Sequence, residues 1–471
     1  MRRFFFHNFR IVYRLDRWIR RRFTQAGLLI LSGMIAAGIF GIDTRQTLAY
    51  QLFSLLLALL LLAILSNLRF RVRFTAQRDL PKFATVGETL HYQVRIQNHT
   101  QKLQQSLILQ ENVKLNPPTF ETFLHAKEPE YEKRNRFDRY VGYPRWVWLM
   151  HLSKGAEIAE QSLPPIPPLS PISIKSEKSE KVKMKKAKND NASLSIKMTL
   201  TPLRRGYVHF TGFTFARPDP FNLFKALYTI DKTDSLLVLP KRYPVGEISL
   251  SGARKYQRGG VSLAMSVGDS EEFVSLREYR PGDPLRHIHW KSWAKMGKPI
   301  VKEFQDEFFV RHALILDTFT KQYAGEIFEA AVSVAASFAS APRSHEVLLD
   351  LMFVGTQAYC FTSGRGLTNT DKLLEILACV EASVNSHFER LPPLVMEHAA
   401  SLSGCVCVLL NWDIARQQFI ESLKYKGVPL LVVVISPIKI EIEIDKKKFP
   451  EVHVLPINAI AEELRVVLKK S

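Results

Sequence analysis

Two apolar runs near the N-terminus constrain this chain more than any other feature. Residues 26–42, AGLLILSGMIAAGIFGI, and residues 48–66, LAYQLFSLLLALLLLAILS, carry no charged side chain. Each is close to the ~17–25 residues a helix needs to cross the hydrocarbon core of a bilayer. Only the link DTRQT separates them, so the sequence predicts a membrane α-hairpin. The flanks set its orientation. Residues 1–23 hold eight Arg (Arg2, Arg3, Arg10, Arg14, Arg17, Arg20, Arg21, Arg22) against Asp16, and Arg69, Arg71 and Arg73 follow the second run. Positive residues stay on the cytoplasmic side, which predicts a multi-pass protein of the cytoplasmic (inner) membrane with both termini in the cytosol. RRRFTQAGLL also resembles a twin-arginine export signal, but a second apolar run follows it at once, where a cleavage site and soluble sequence would be expected. The arginines are read as an anchor to membrane lipid.

The formal net charge of +20 raises the question of nucleic acid. Most of the excess lies in the N-terminal arginines, the 69–73 cluster and residues 172–190, where seven Lys face three acids. The remainder is only mildly basic, so no nucleic-acid partner is expected. The four cysteines, Cys360, Cys379, Cys405 and Cys407, form no C-x-x-C pair and read as small apolar residues in a reducing compartment.

Residues 1–23 form the basic N-terminus, 24–68 the hairpin, and 69–245 a β-sandwich-like module. TLHYQVRIQN places Leu90, Tyr92, Val94 and Ile96 on one face of a half-buried strand. SLILQENV, SIKMTLTPL and YVHFTGFTFA predict further strands, and ARPDPFNLFK reads as a turn that ends the module. Within it, 112–195 is expected to be an irregular insert. It contains LPPIPPLSP, stiff and extended, and a Lys-rich run too polar to build a core. From residue 305 to 471 apolar strands alternate with helices, which predicts a mostly parallel α/β sheet. Ligands bind such sheets beyond the carboxyl ends of the strands. Asp317, Thr368 and Asp413 are the candidate oxygen ligands there, and Mg²⁺ is the cation they would suit. Asp317 capping its own turn is the plainer reading.

The densest chemistry lies in LREYRPGDPLRHIHWKSWAKMGKPIVKEF, residues 276–304, within a connector spanning 246–304. Pro281 and Gly282 suit a turn, Asp283 a helix cap with Pro284 at the first position, and Gly297 a left-handed stop after a helix ending near Met296. The candidate binding residues are Arg277, Glu278, Tyr279, Arg280, Gly282, Asp283, Arg286, His289, Trp290 and Lys291, with Arg286 stacked on Trp290. A hydrolase using Asp283, His287 or His289 is an alternative, although no nucleophile motif accompanies them. A membrane-tethered nucleic-acid binder is another; Glu278, Asp283 and Glu303 dilute its basic patch. On a helix, His287 and His289 point about 200° apart and cannot share a metal.

DPFNLFKA (219–226) and EFVSLREYRPGDPLRHIHWKSWAKMGKPIVKEF (272–304) together resemble the bacterial family called domain of unknown function 58. That resemblance implies a von Willebrand factor A-like, Rossmann-like C-terminal domain and suggests no established catalytic activity, so a non-enzymatic role is expected. It also implies partnership with an AAA+ ATPase of the MoxR type and a membrane protein bearing a transglutaminase-like domain. The metal-binding pattern of such domains begins D-x-S-x-S after the first strand. Here Asp317, Phe319 and Lys321 take those places, and neither Phe nor Lys can ligate a cation, so no cofactor is expected.

Overall fold

A computed structural model describes residues 2–40, 47–68, 70, 72–115, 117–126, 128, 131–168, 193–246, 273–281, 283, 285–304, 310–320, 325–342, 347–355, 357–363, 367–383, 387–437 and 444–470. Gly282, Lys321, the Lys-rich run and most of the 246–272 stretch lie outside them, as do the side chains of Arg286 and Thr368. The chain divides into two units, Met1–Pro240 and Lys241–Ser471.

The first unit opens with three helices, α1 (Arg2–Arg22), α2 (Gln25–Phe40) and α3 (Thr47–Asn67). The arginine-rich terminus is therefore a long helix in its own right. Among the described residues, α3 alone is long and apolar enough to cross a membrane, over Leu48–Asn67. The expectation of two full spans is corrected here. Thr24 caps α2, its Oγ1 accepting the Gly27 N–H at 3.1 Å, so the helix cannot run back into the arginines. Its 16 residues reach about 24 Å, short of the ~30 Å hydrocarbon core. The two apolar helices pack together, Gly33 facing Leu56 and Gly38 facing Phe53.

Among the described residues nine strands and three short α-helices follow: β1 (Phe74–Asp79), β2 (Phe83–Thr85), β3 (Leu90–Asn98), β4 (Leu107–Val113), α4 (Phe120–His125), α5 (Arg136–Val141), α6 (Tyr143–Ser153), β5 (Ala156–Ile158), β6 (Gln161–Leu163), β7 (Ser193–Pro202), β8 (Gly206–Pro218) and β9 (Lys225–Leu239). They make two sheets, ordered β1-β3-β7-β5 and β2-β9-β8-β4-β6. Tyr92, Val94 and Ile96 of the first share one core with Leu109, Phe213 and Phe215 of the second, as in a sandwich. On β3 the alternation is as the sequence predicts. Two differences stand out. DPFNLFK does not end the module but turns the chain into its longest strand, β9. The insert, expected to be irregular, folds as α4–α6 over residues 120–153. Its apolar residues Phe123, Trp146, Leu149 and Met150 bury against Phe6 of α1, so the segment finds its core in a distant part of the chain. Arg145 stitches it internally, pairing with Glu128 at 3.2 Å and donating to the Phe123 carbonyl at 3.0 Å. The Pro-rich stretch is pinned by Ile166, which bridges Gln104 and is fully buried.

The second unit contains a hairpin of β10 (Phe273–Glu278) and β11 (Ile300–Phe304), with α7 (Trp290–Met296) between them. Its sheet is built from β12 (Val310–Leu316), α8 (Glu326–Ala339), β13 (Val347–Val354), β14 (Ala358–Ser363), α9 (Leu367–Cys379), α10 (Leu391–His398), β15 (Gly404–Leu409), α11 (Ile414–Tyr425), β16 (Leu430–Ser436), β17 (Val452–Pro456) and α12 (Ile460–Lys470). The order is β14-β13-β12-β15-β16-β17, parallel except for the antiparallel edge pair β13–β14. Buried Val, Leu and Cys on β15 and β16 match a parallel sheet covered on both faces. Cys405 and Cys407 share one core cluster, as two-residue spacing on a strand requires.

Candidate functional site

The sequence motif folds into a braced turn. Antiparallel pairing sets Arg277 opposite Val301 and Glu278 opposite Ile300. The hairpin then closes on itself: Tyr279 N donates to Pro299 O and His289 N to Ile300 O, at 2.9 and 2.8 Å. Asp283 does not cap the helix, as the sequence predicts. Its carboxylate instead accepts both arms of the Arg277 guanidinium at 2.7 and 2.8 Å, and the Arg280 N–H at 2.8 Å. Those bonds favour the ionised form and hold its pKa at about 2. With the cap diverted, the expected single helix breaks into a 3₁₀ turn at Leu285–His287 and the short α7. Gly297 at φ 69° ends it, as expected.

Trp290 and Trp293 stack at 5.2 Å between ring centroids. Trp290, Leu285 and Met296 are each about two-thirds exposed (66, 68 and 69%), while Ile288 is buried. Ile288 also bridges Val301 of β11. His289 Nδ1 lies 2.7 Å from Ser292 Oγ on the first turn of α7. Glu278 faces Lys298 at 3.3 Å, both exposed.

At the carboxyl ends of β12 and β15 the candidate metal residues meet a different cation. Arg416, on α11, donates Nε to Asp317 Oδ2 at 2.7 Å and Nη1 to Asp413 Oδ2 at 2.5 Å. Its guanidinium lies over the Phe388 ring, 4.5 Å from the centroid. Asp317 also accepts the N–H groups of Phe319 (3.0 Å) and Leu410 (3.1 Å). Asp413 caps α11 through the Arg416 N–H at 3.0 Å. Burial pushes the Asp317 carboxyl up, against the pull of Arg416. Thr318, one residue on, donates its hydroxyl to the Val354 carbonyl. This donor set does not fit a divalent ion, because a buried guanidinium already bridges the two carboxylates. Among the described residues no three His, Cys, Asp or Glu are grouped to hold a metal.

Sequence reasoning missed two sites in the first unit. Arg78 is buried between the sheets, paired with Glu111 (2.7 Å) and Asp234 (2.7 Å) and lying 3.9 Å from the centroid of Phe213. Tyr92 donates to Glu111 at 3.0 Å, and burial pushes the Glu111 carboxyl up. A cleft of about 860 Å³ opens beside it, between the second half of α1 and the sandwich, lined by Arg17, Arg20, Lys154, Glu111 and Glu160 among others. Its mixed charge favours no single ligand class. The second site is a joint. Asp219 accepts the N–H groups of Phe221, Leu223 and Phe224 (3.1, 2.6 and 2.8 Å), curling DPFNLF into a knob. Thr24 N donates to Leu223 O (3.1 Å) and Asn67 Nδ2 to Phe224 O (3.0 Å). The knob therefore grips the start of α2 and the end of α3. The DPFN signal was visible in the sequence; what it would grip was not.

Comparison with known proteins bears on the braced turn. The family described as "Protein of unknown function DUF58" matches residues 275–387. Among curated proteins, the chain is 26% identical over 207 residues to the "Uncharacterized protein YeaD" of Bacillus subtilis (strain 168), across 42% of this chain and 49% of that protein. The chain thus spans about half the length of this relative.

Proposed function

We propose, from the DUF58 region that this chain carries at residues 275–387, that the protein is a membrane-anchored adaptor without catalytic activity. It presents the 273–304 element and its α/β domain to protein partners on the cytosolic side of the inner membrane. One observation carries the reading: an exposed Trp290 stacked on the partly buried Trp293, with Leu285 and Met296 exposed in the same element, on a turn held by the Arg277–Asp283 fork. Exposed aromatic side chains on a pre-ordered backbone lose little entropy when a partner covers them. The anchoring half rests on α3, with α2 as the shorter arm of a hairpin that local thinning of the bilayer accommodates. The von Willebrand factor A-like description is supported by the strand order and the antiparallel edge strand. The internal cation Arg416 then leaves recognition to side chains in place of a bound metal.

The partner suggested by the family resemblance is an AAA+ ATPase of the MoxR type, with a transglutaminase-like membrane protein as the second. A photoreactive residue at Lys291, in chains expressed in native membranes, tests this. The expected product is a crosslink to such an ATPase that Trp290→Ala weakens. The same products from a probe at Tyr425, an exposed position at the end of α11, would sink the proposal.

The 2.7 Å contact of His289 with Ser292 favours one rival, a serine-dependent hydrolase. It predicts that a fluorophosphonate probe labels the protein and that Ser292→Ala abolishes the label. The adaptor reading predicts no label on either.

A further inference from the structure

Helix α1 carries two apolar stripes, and the fold uses only one. Phe6, Phe9 and Tyr13 pack inward against Phe120, Phe123 and Trp146. Near its end Arg21 donates to Asn112 (2.7 Å) and Thr214 (3.0 Å) of the sandwich. Both ends are thereby fixed. On the other side lie Phe4, Ile11, Leu15 and Trp18, at i, i+7, i+11 and i+14. They are exposed by 65, 50, 55 and 53%. A continuous apolar stripe left in water on a docked helix marks an interaction surface. Beside it, at 60–120° round the helix from Arg2, run Arg3, Arg10, Arg14 and Arg17. The helix has one acid, Asp16, which pairs with Arg20 at 2.8 Å.

We propose that this outer stripe lies in the headgroup region of an anionic bilayer, so that α1 is an interfacial helix; this rests on the membrane anchoring proposed above. Two observations select lipid as the occupant. The first is charge: exposed Arg3, Arg10 and Arg14 run along one edge of the stripe with no acid among them and complement anionic headgroups, and an apolar stripe edged by Arg is the pattern of helices that lie in the membrane plane. The second is continuity. The stripe ends at Trp18, whose ring meets Phe23 edge-on at 6.4 Å, and Phe23 meets Phe224 at 5.2 Å. Arg22 lies over both Trp18 (5.7 Å) and Phe224 (5.8 Å). This aromatic and arginine cluster surrounds the point where α2 begins and α3 ends, the level at which such residues sit in a bilayer. The outer face of α1 leads directly from it.

Trp18 provides the probe. The full chain is placed in phosphatidylcholine nanodiscs with and without phosphatidylglycerol, using lipids brominated at shallow or deep acyl positions. Wild type is compared with Trp18→Phe. The expected result is about two-fold quenching of the Trp18 share of emission by shallow bromines, weaker quenching by deep ones, and a gain on adding phosphatidylglycerol. Ile11→Asp with Leu15→Asp should abolish the quenching without moving the unfolding midpoint, since both side chains point away from the core. An incorporated chain whose Trp18 is quenched at neither depth overturns the inference and leaves the anchoring intact. Quenching indifferent to phosphatidylglycerol also overturns it, because the arginines would then play no part. A chain that does not enter the discs overturns the anchoring, and this inference with it.

Discussion

Arg416 decides what the carboxyl end of the sheet can bind. Its guanidinium is 6% exposed and its partner Asp317 is fully buried. A buried pair of this kind adds little net stability, but removing one member strands the other. Arg416→Ala should therefore cost about 3–5 kcal/mol in denaturant unfolding. The deficit should depend on pH. Without the guanidinium, burial holds the folded pKa of Asp317 above its unfolded value, so the native state resists ionisation. The loss then grows with pH above that unfolded value and shrinks as pH falls towards it. A deficit of the same size at pH 5 and pH 8 would show that Asp317 is not the stranded group. Asp283 has the opposite sign. Its folded pKa of about 2 lies below its ordinary 3.8, so its contribution is present above pH ~4 and fades as pH falls towards 2. Arg277→Lys removes the planar fork. Proteolysis within 280–287 should then quicken at neutral pH, while the β12–β17 sheet stays resistant; equal rates in the two proteins would contradict the bracing role. From the sequence, Asp317 and Asp413 were visible as carboxylates at strand ends. Arg416 was not, because an Arg three residues after an Asp usually serves the exposed surface of a helix.

At the scale of elements, legibility followed the distance to the partner. β3 could be read because its alternation reports burial against its own sheets. α8 could be read from its Ala-rich run, α11 from its Gly stop and α12 from its basic ending. α1 could not: its arginines hide two apolar stripes, one of them meant for α4 and α6 more than a hundred residues away. The same distance hides those two helices, whose core includes Phe6. β9 is hard to read because its middle, TIDKTD, is polar and mostly exposed, between buried Ala226 and the buried run Leu236–Leu239. The knob at 219–224 reads as an ending in the sequence because a Pro-Asp-Pro turn usually is one. Its grip on α2 has a sharp test. A Cβ on Gly27 would lie 2.0 Å from the Leu223 carbonyl oxygen, a backbone atom with little room to yield. Gly27→Ala should force the knob and α2 apart and cost about 1–3 kcal/mol, as overpacking does, whereas Gly33→Ala, with only the Leu56 side chain at 3.6 Å, should be mild. Equal thermal shifts for the two variants would mean that the joint is looser than its hydrogen bonds imply.

For the whole molecule, the decisive question is which side of the membrane holds the Lys241–Ser471 unit, since a docking surface serves only partners that share its compartment. The cysteines can answer it, provided the right one is chosen. Cys405 and Cys407 lie in the core of the sheet, and burial pushes the Cys405 thiol to about 12. Cys360 is half-buried and pushed to about 11. Thiol reagents attack the thiolate, so at neutral pH these three report burial, whichever side they occupy. Cys379, at the end of α9, is exposed. On the anchoring proposed above, the N-terminal arginines and Arg73 should hold both ends of the hairpin in the cytosol. A membrane-impermeant maleimide should accordingly spare Cys379 in intact cells and label it once the membrane is opened, with Cys379→Ser removing the signal. Prompt labelling in intact cells would put the domain outside. There no cytosolic ATPase could reach Trp290, and the arginines of α1 would face the wrong leaflet.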